Sequence, residues 1–401
     1  MKILLINKFH YLKGGSEKYY FTVAKALEEL GHSVIYLAMK SDDNYKDGEN
    51  EYFISNSSMH GSIKEKLNMI FHIAYSKEAY KKAKKLCEIE KPDLVILNLI
   101  HKQITCSVID AIKSYNKDLP IFWVMHDLIC VCPAYTMLDG NGNICEKCLH
   151  GDFYNCRKNR CSHGSKLMSL LSTYEAKQIK KHGWYDMVDL YICPSEFYRK
   201  KLVESGFTKS KIVCHRNPLP IDTKYELNDK SDGYLLYFGR LSKEKGIKTL
   251  INAMIGKNYE LKVLGKGPLE EELKKFIVEK EIKNVELCGF KSGVELADYV
   301  RKSRCVVLPS EWYENGPYSA MEAMALGKPL IVSNLGGLPE LVENGSNGFV
   351  YKDVNELSTK IDEIMKLSEE DYKKMCSESL EKARQYFNPV DYINKILSYI
   401  V

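Results

Sequence analysis

The sequence predicts an α/β protein made of two doubly wound, Rossmann-like halves facing a central cleft. Three observations carry that expectation. The chain has 401 residues, and about 150 residues per domain gives two or three domains. Short, nearly continuous apolar runs alternate with longer stretches of helical period, as parallel strands covered by helices on both faces require. A polar segment at 222–233 (DTKYELNDKSDG) divides the runs into two sets of similar size and reads as a linker. Ligands of such halves bind beyond the carboxyl ends of the strands, which is where the cleft is expected. With 45% hydrophobic and 28% charged residues, the composition is ordinary for a globular protein and excludes a mostly disordered chain. No run approaches the ~18 apolar residues of a membrane-spanning helix. A net charge of +5 over this length is too mild for a nucleic-acid binder, although it suits a phosphate-bearing substrate or an anionic membrane surface.

The elements follow in order. Residues 2–8 (KILLINK) form a first buried strand, bounded by the Gly14-Gly15 turn. Residues 16–30 place Tyr19, Tyr20, Val23, Ala24 and Leu27 on one helical face, and Gly31 ends that helix. Further strands are expected at 32–39, 93–99, 121–126 and 189–193, with a Lys-rich helical stretch over about 63–90. Beyond the linker a second set is expected at Tyr234–Phe238, Glu260–Leu264, 285–287, 304–308 and 329–333. The start lacks the basic region, apolar stretch and small-residue cleavage site of a signal peptide, so the cytoplasm is the expected compartment. Thiols stay reduced there, and the 13 cysteines are too few for a disulfide scaffold.

Chemistry concentrates after the strands of the second half. In 309–322 (PSEWYENGPYSAME) a strand gives way to a polar loop, and Pro317 stands where the first residue of a helix is expected. The helix N-terminus after Asn315-Gly316 favours an anion. Glu314 in the loop could accept hydrogen bonds from sugar hydroxyls, and Glu322 inside the helix could hold a ribose diol. Two carboxylates at this spacing equally suit a solvated helix face. In 238–246 (FGRLSKEKG), Arg240 offers a planar fork to phosphate oxygens and Lys245 a mobile point charge. With the helix N-terminus they outline a diphosphate pocket. No Walker A pattern and no GxGxxG after the first strand occurs, and Gly265-Lys266-Gly267-Pro268 reads as a turn. Gly14-Gly15 is either a tight turn or a close backbone approach to a ligand. His126-Asp127 ends a strand on the cleft side, where a histidine is either structural or part of a site.

In order along the chain, these segments resemble the family 4 retaining glycosyltransferases of the GT-B class nearly end to end. The resemblance rests on GGSEKYYFTVAKALEELGHSV, on HD at 126–127, and on PSEFYRKKLVESGF at 194–207. It continues through YFGRLSKEKG, through PSEWYENGPYSAMEAMALGKPLIVSNLGGLPELVENGSNGF, and into the terminal helix after Phe387-Asn388-Pro389. It implies that Glu314 and Glu322 are the family's paired glutamates, that Arg240 and Lys245 bind the diphosphate, and that His126 contacts the donor sugar. The ENGP loop departs from the Gly-Phe-Gly-like loop of many members, yet Asn315, Gly316, Pro317 and Tyr318 would still line the sugar, as Gly14 and Gly15 would from the other half. The implied domains are 1–220, with a Cys-rich insertion at 130–163 and a C-terminal helix at about 386–401 packing back on it, and 221–385. The implied reaction moves a sugar from a nucleotide-diphosphate donor to a glycan or lipid-linked acceptor, with retention and without a catalytic metal, in bacterial surface polysaccharide synthesis. Other nucleotide-sugar enzymes on this scaffold, an epimerase or a phosphorylase, and a non-catalytic nucleotide-sugar binding module are the alternatives. No pyridoxal phosphate lysine is recognisable for a phosphorylase.

Two segments stand apart from that reading. Cys145, Cys148, Cys156 and Cys161 have zinc-ligand spacing, with Cys132 able to replace any one of them, and a structural zinc would staple a long loop. Free thiols in a variable loop are the alternative. Residues 62–86 pair Ile63, Leu67, Ile70, Phe71 and Ala74 with Lys64, Lys66, Lys77, Lys81, Lys82, Lys84 and Lys85. Such a helix either lies on an anionic membrane at the inner face or is a domain helix with a solvated lysine face.

Overall fold

The computed structural model describes residues 1–56 and 72–400. The chain divides into two compact units, one comprising Met1–Ile221 with Pro389–Val401 and the other Asp222–Asn388. The first runs β1 (Lys2–Ile6), α1 (Gly15–Glu29), β2 (Ser33–Leu37), α2 (Lys77–Glu90), β3 (Leu94–Leu97), α3 (Ser107–Tyr115), β4 (Ile121–Val124), α4 (Tyr154–Lys158), α5 (Lys166–His182), β5 (Leu190–Cys193), α6 (Glu196–Glu204) and β6 (Ile212–Cys214). Its six strands are parallel in the order β2-β1-β3-β4-β5-β6. Leu94–Leu97, Ile121–Val124 and Leu190–Cys193 are buried throughout, which is why these strands are apolar without alternation. Helices begin at side-chain caps: Ser76, Ser165 and Ser195 accept from the amides of Ala79, Met168 and Tyr198.

The second unit runs β7 (Tyr234–Phe238), α7 (Ile247–Ala253), β8 (Glu260–Leu264), α8 (Glu270–Glu279), β9 (Val285–Gly289), α9 (Gly293–Lys302), β10 (Cys305–Leu308), α10 (Tyr318–Ala325), β11 (Leu330–Ser333), β12 (Gly348–Tyr351), α11 (Val354–Lys366) and α12 (Glu369–Tyr386). Its parallel order is β12-β11-β10-β7-β8-β9. Leu235, Tyr237, Ile247, Ile251, Val263, Val307 and Ile361 belong to one buried cluster between sheet and helices. The last helix, α13 (Pro389–Leu397), returns to the first unit, where the Tyr392 and Tyr19 hydroxyls meet at 2.7 Å.

Several expectations need correction. β6 and β12 were not anticipated, because strands of three and four residues with partial exposure leave little apolar signal. The segment read as a linker is fastened down: the Glu226 amide donates to Ala325 O at 2.9 Å, Asn228 Nδ2 to Leu326 O at 3.0 Å, and the Asp232 amide to Lys302 O at 2.8 Å. Pro317 precedes α10 as its N-cap instead of opening it. Of the basic amphipathic stretch 62–86, residues up to 71 lie outside the described residues. Its described part buries Ala79, Ala83, Leu86 and Cys87, so the apolar face of α2 is turned into the fold. Lys82 is held by Phe53 O and Glu78. No helix among the described residues is long and apolar enough to cross a membrane.

Candidate active site

In the second sheet the chain steps from β7 outward to β9, then crosses to β10 and steps the other way to β12. The loops after β7 and β10 therefore part at a topological switch point, where such sheets bind ligands. Arg240 and Lys245 follow β7, and Glu314 follows β10. Arg240 is exposed, but its backbone is pinned. Tyr237 Oη donates to Arg240 O at 2.8 Å, the Gly239 amide to Leu264 O at 3.0 Å, and the Leu241 amide to Lys266 O at 3.0 Å. A Cβ on Gly265 would stand 1.8 Å from Gly239 O, and one on Gly267 2.2 Å from Leu241 O. The segment read as a turn is thus a glycine shelf under the arginine loop, which side chains would lift.

The two loops are strapped together. The Glu311 amide donates to Glu244 O at 2.8 Å, and a Cβ on Gly246, at φ +66°, would lie 1.8 Å from Pro309 O. That contact brings Lys245 Nζ to 2.5 Å from Glu314 Oε1, which Ser310 Oγ also reaches at 2.7 Å. The Trp312 ring lies 5.2 Å from the same ammonium. Glu314 is only 6% exposed. Burial pushes its carboxyl up, but Lys245 and Ser310 outweigh it and leave the group below its ordinary 4.5, ionised. Behind Glu314, Gly336 at φ +64° packs so closely that a Cβ would stand 2.3 Å from Glu314 O, while the Gly337 amide donates to that oxygen at 2.6 Å. Glu322 lies one turn inside α10, half-buried, as are Asn315, Gly316, Pro317 and Tyr318.

The first sheet has its switch point between β1 and β3. Asn7, fully buried after β1, accepts from the Leu99 amide after β3 at 3.2 Å and donates to Glu17 Oε1 at 3.3 Å. Gly14 caps α1 in extended conformation, and a Cβ there would meet only Glu17 Oε2 at 3.7 Å, an ordinary contact. Glycine suits that N-cap position, and no protein atom crowds it. His126 follows β4, half-buried, with its ring 4.8 Å from Tyr19. Its Nε2 is 2.9 Å from Asn98 Oδ1, whose amide nitrogen faces Ile6 O at 3.4 Å. That orientation makes Nε2 the donor and leaves Nδ1 as an acceptor. Desolvation lowers the imidazole to about 3, so the ring is neutral. Close by in charge, burial lowers Lys8 to about 8 against the pull of Asp127, and raises Glu175 to about 7 against Lys102.

Sequence reasoning missed Asn98, Ser310, Gly246, Gly265, Gly267 and Gly336. Each acts through a tertiary contact that no local pattern announces, although GKGP and the Gly336-Gly337 pair are visible as glycine-rich spots. In the insertion, Cys132, Cys148 and Cys156 are buried, Cys145 and Cys161 half-buried, and all five are free thiols. Among the described residues no group of three or more His, Cys, Asp or Glu side chains is already arranged to hold a metal ion.

The family model for Glycosyltransferase Family 4 matches residues 13–223, and that for Glycosyl transferases group 1 matches residues 221–383. The chain is 24% identical over 390 residues to an uncharacterized glycosyltransferase of Methanocaldococcus jannaschii, covering 97% of this chain and 94% of that one. It is 31% identical over 176 residues to an amylovoran biosynthesis glycosyltransferase of Erwinia amylovora, 40% of this chain and 43% of that one. The solved structure of Anabaena HepE in complex with UDP-glucose matches it with a TM-score of 0.67 at 18% identity, over 99% of this chain and 98% of that one. Two six-stranded parallel sheets, the second wholly and the first from β2 onward within the reach of its own family model, carry the same conclusion as these relatives. The chain is a glycosyltransferase of the GT-B fold and belongs to glycosyltransferase family 4.

Proposed function

We propose that the protein transfers a sugar from a nucleoside-diphosphate donor to a glycan or lipid-linked acceptor, with retention at the anomeric carbon, in building a surface polysaccharide. The observation that carries this reading is the Lys245–Glu314 pair beside Arg240 at the switch point of the second sheet. Charge builds on the leaving diphosphate in the transition state, so fixed cations aimed there lower the barrier most. Arg240 and Lys245 supply two, and the N-terminus of α10 adds amides of the same sign. Protein cations thereby take the place of a catalytic metal. Lys245 and Ser310 share Glu314 Oε1, leaving Oε2 as the acceptor for sugar hydroxyls. Glu322, deeper on α10, is assigned to the ribose diol.

In the first half, His126 Nδ1 is the acceptor assigned to a donor-sugar hydroxyl, and Gly14 allows the substrate to approach the backbone closely. The C1–O bond to the diphosphate breaks while the acceptor oxygen bonds to C1 on the same face, and the acceptor proton passes to the departing phosphate oxygen. The UDP-glucose held by Anabaena HepE and the amylovoran relative support this donor class and this product class. Contact with an anionic membrane belongs to the same proposal through Lys81, Lys84 and Lys85 on the outer side of α2.

The test is a panel of nucleotide-sugars incubated with the protein, with nucleotide release measured with and without a glycan or glycolipid acceptor extract. One donor class is expected to release nucleoside diphosphate in an acceptor-dependent way. Isomerised donor without release would make the protein an epimerase, phosphate-dependent release of sugar phosphate a phosphorylase, and binding without turnover a binding module.

A further inference from the structure

The 130–163 insertion is a separate problem, independent of the donor site. It carries little regular structure, namely the five-residue α4 and one isolated bridge between Leu138 and Ile144. Tyr135, Met137, Arg160 and His163 all sit at positive φ without being glycine, conformations that an unfastened loop would relax. Gly140 packs so closely that a Cβ would stand 2.2 Å from Asn159 O. A segment of this length folded this tightly needs an internal staple, and its buried apolar residues are few.

What the segment does gather is sulfur. The backbone folds its cysteines together: the Cys145 amide donates to Met137 O at 2.8 Å, Asn155 Nδ2 to Lys147 O at 3.1 Å, and the Cys161 amide to Cys156 O at 3.1 Å, which sets the Cys145–Cys148 arm against the Cys156–Cys161 arm. Burial pushes the Cys132 and Cys148 thiols up, and the Ala134 and Met137 backbone near Cys132 and the Cys156 backbone near Cys148 offset part of that. The Cys156 thiol lies 3.9 Å from Ser162 Oγ and donates to Ser169 O at 4.0 Å. Backbone amides near sulfur are the kind of outer support that metal-bound thiolates use. The amide two residues after Cys132 is one of them, which draws in a cysteine the C-x2-C spacing alone leaves optional.

We propose that the insertion is a zinc-thiolate module, in which Cys132 and three of Cys145, Cys148, Cys156 and Cys161 close on one Zn(II). The thiols are neighbours that do not converge on a common centre by themselves, and the metal performs that last closure. Four thiolates leave no open coordination position, so the ion is structural. Its purpose lies in what the module braces. Ser162 Oγ donates to Ser172 Oγ at 3.0 Å and Thr173 Oγ1 to Phe153 O at 3.2 Å, tying the module to α5. Glu146, between the paired cysteines, is 2.9 Å from Lys201 on α6. From α5, Glu175 Oε1 accepts from the Lys102 amide after β3 at 2.6 Å, so the brace reaches the switch point of the first sheet.

The direct test measures zinc in protein purified under reducing conditions, together with cobalt(II) titration of the chelator-stripped, reduced protein. One equivalent of zinc is expected, and cobalt should give the sulfur-to-metal charge-transfer and tetrahedral d–d bands of a tetrathiolate. Cys132→Ser should abolish stoichiometric zinc, as should three of the four single variants Cys145→Ser, Cys148→Ser, Cys156→Ser and Cys161→Ser, whereas Cys288→Ser in the other unit should keep it. Because a variant can fail to fold, the wild-type titration decides: no zinc as isolated and no cobalt spectrum overturns the proposal. A full zinc equivalent in Cys132→Ser overturns it equally, as does isolation of wild type with Cys156 and Cys161 joined in a disulfide and zinc absent.

Discussion

At the scale of single residues the account turns on the Lys245–Glu314 contact at 2.5 Å, a pair with 69 positions between its members' numbers. Arg240→Ala and Lys245→Ala should each lower turnover by about 10²-fold, the scale of one lost transition-state charge donor. Lys245→Ala should do something more. It leaves a buried carboxylate without its cation, a defect of about 3–5 kcal/mol. Burial then acts on Glu314 with little opposition and lifts its carboxyl above the ordinary 4.5 instead of below it. The residual activity of Lys245→Ala should therefore climb with pH through the carboxylate range, where the wild type stays flat; parallel pH profiles check this. Gly336→Ala forces a Cβ toward Glu314 O and a left-handed backbone on a side chain. About 10²-fold lower turnover with little change in nucleoside diphosphate affinity is expected, because small misplacements of a positioned group carry that penalty. Steady-state kinetics with calorimetric titration separates the two. His126 gives a stability prediction. The unfolded chain protonates it below about 6.5 and the folded chain only near about 3, so protons favour unfolding in that window. Stability should fall as pH drops from about 6.5, and His126→Asn should lose less over the same range in urea unfolding at stepped pH.

At the scale of elements, most of the fold was legible and much of the site was not. The central strands announce themselves because both faces are covered, so Leu94–Leu97 and Cys305–Leu308 contain no polar residue to interrupt the run. Arg240, Lys245 and Glu314 were legible as chemistry after strands. What sequence could not give is the support: the Gly265 and Gly267 shelf, the Gly246–Pro309 contact and the Asn98–His126 bond exist only once distant strands are neighbours. The stretch 62–86 is only partly described. Ile63, Leu67, Ile70 and Phe71, which suit a membrane face, lie outside the described residues, while the described α2 buries Ala79, Ala83, Leu86 and Cys87 in the fold. The proposed membrane contact is tested through its charge. Wild type should co-sediment with anionic vesicles at low salt and be released at high salt, as surface electrostatics demands. Joint replacement of Lys81, Lys84 and Lys85 by Glu should abolish co-sedimentation without lowering Tm; wild type left in the supernatant at low salt would refute lipid contact.

At the scale of the molecule, two doubly wound units carry unlike chemistry at equivalent places. The second unit presents cations and a fixed carboxylate at its switch point, which the proposed reaction assigns to the diphosphate and the sugar. The first presents a neutral histidine and an uncrowded glycine, which the same proposal assigns to substrate hydroxyls and close backbone approach. The central claim is that these residues perform a retaining transfer in which protein cations neutralise the leaving group. The measurement that tests it most directly is the anomeric configuration of the product, followed by NMR in EDTA with the donor identified from the panel. The account predicts a product of the donor's own configuration, formed at a rate that added Mg²⁺ leaves unchanged. A product of inverted configuration, or transfer that needs added Mg²⁺ while the protein keeps its zinc, would refute it.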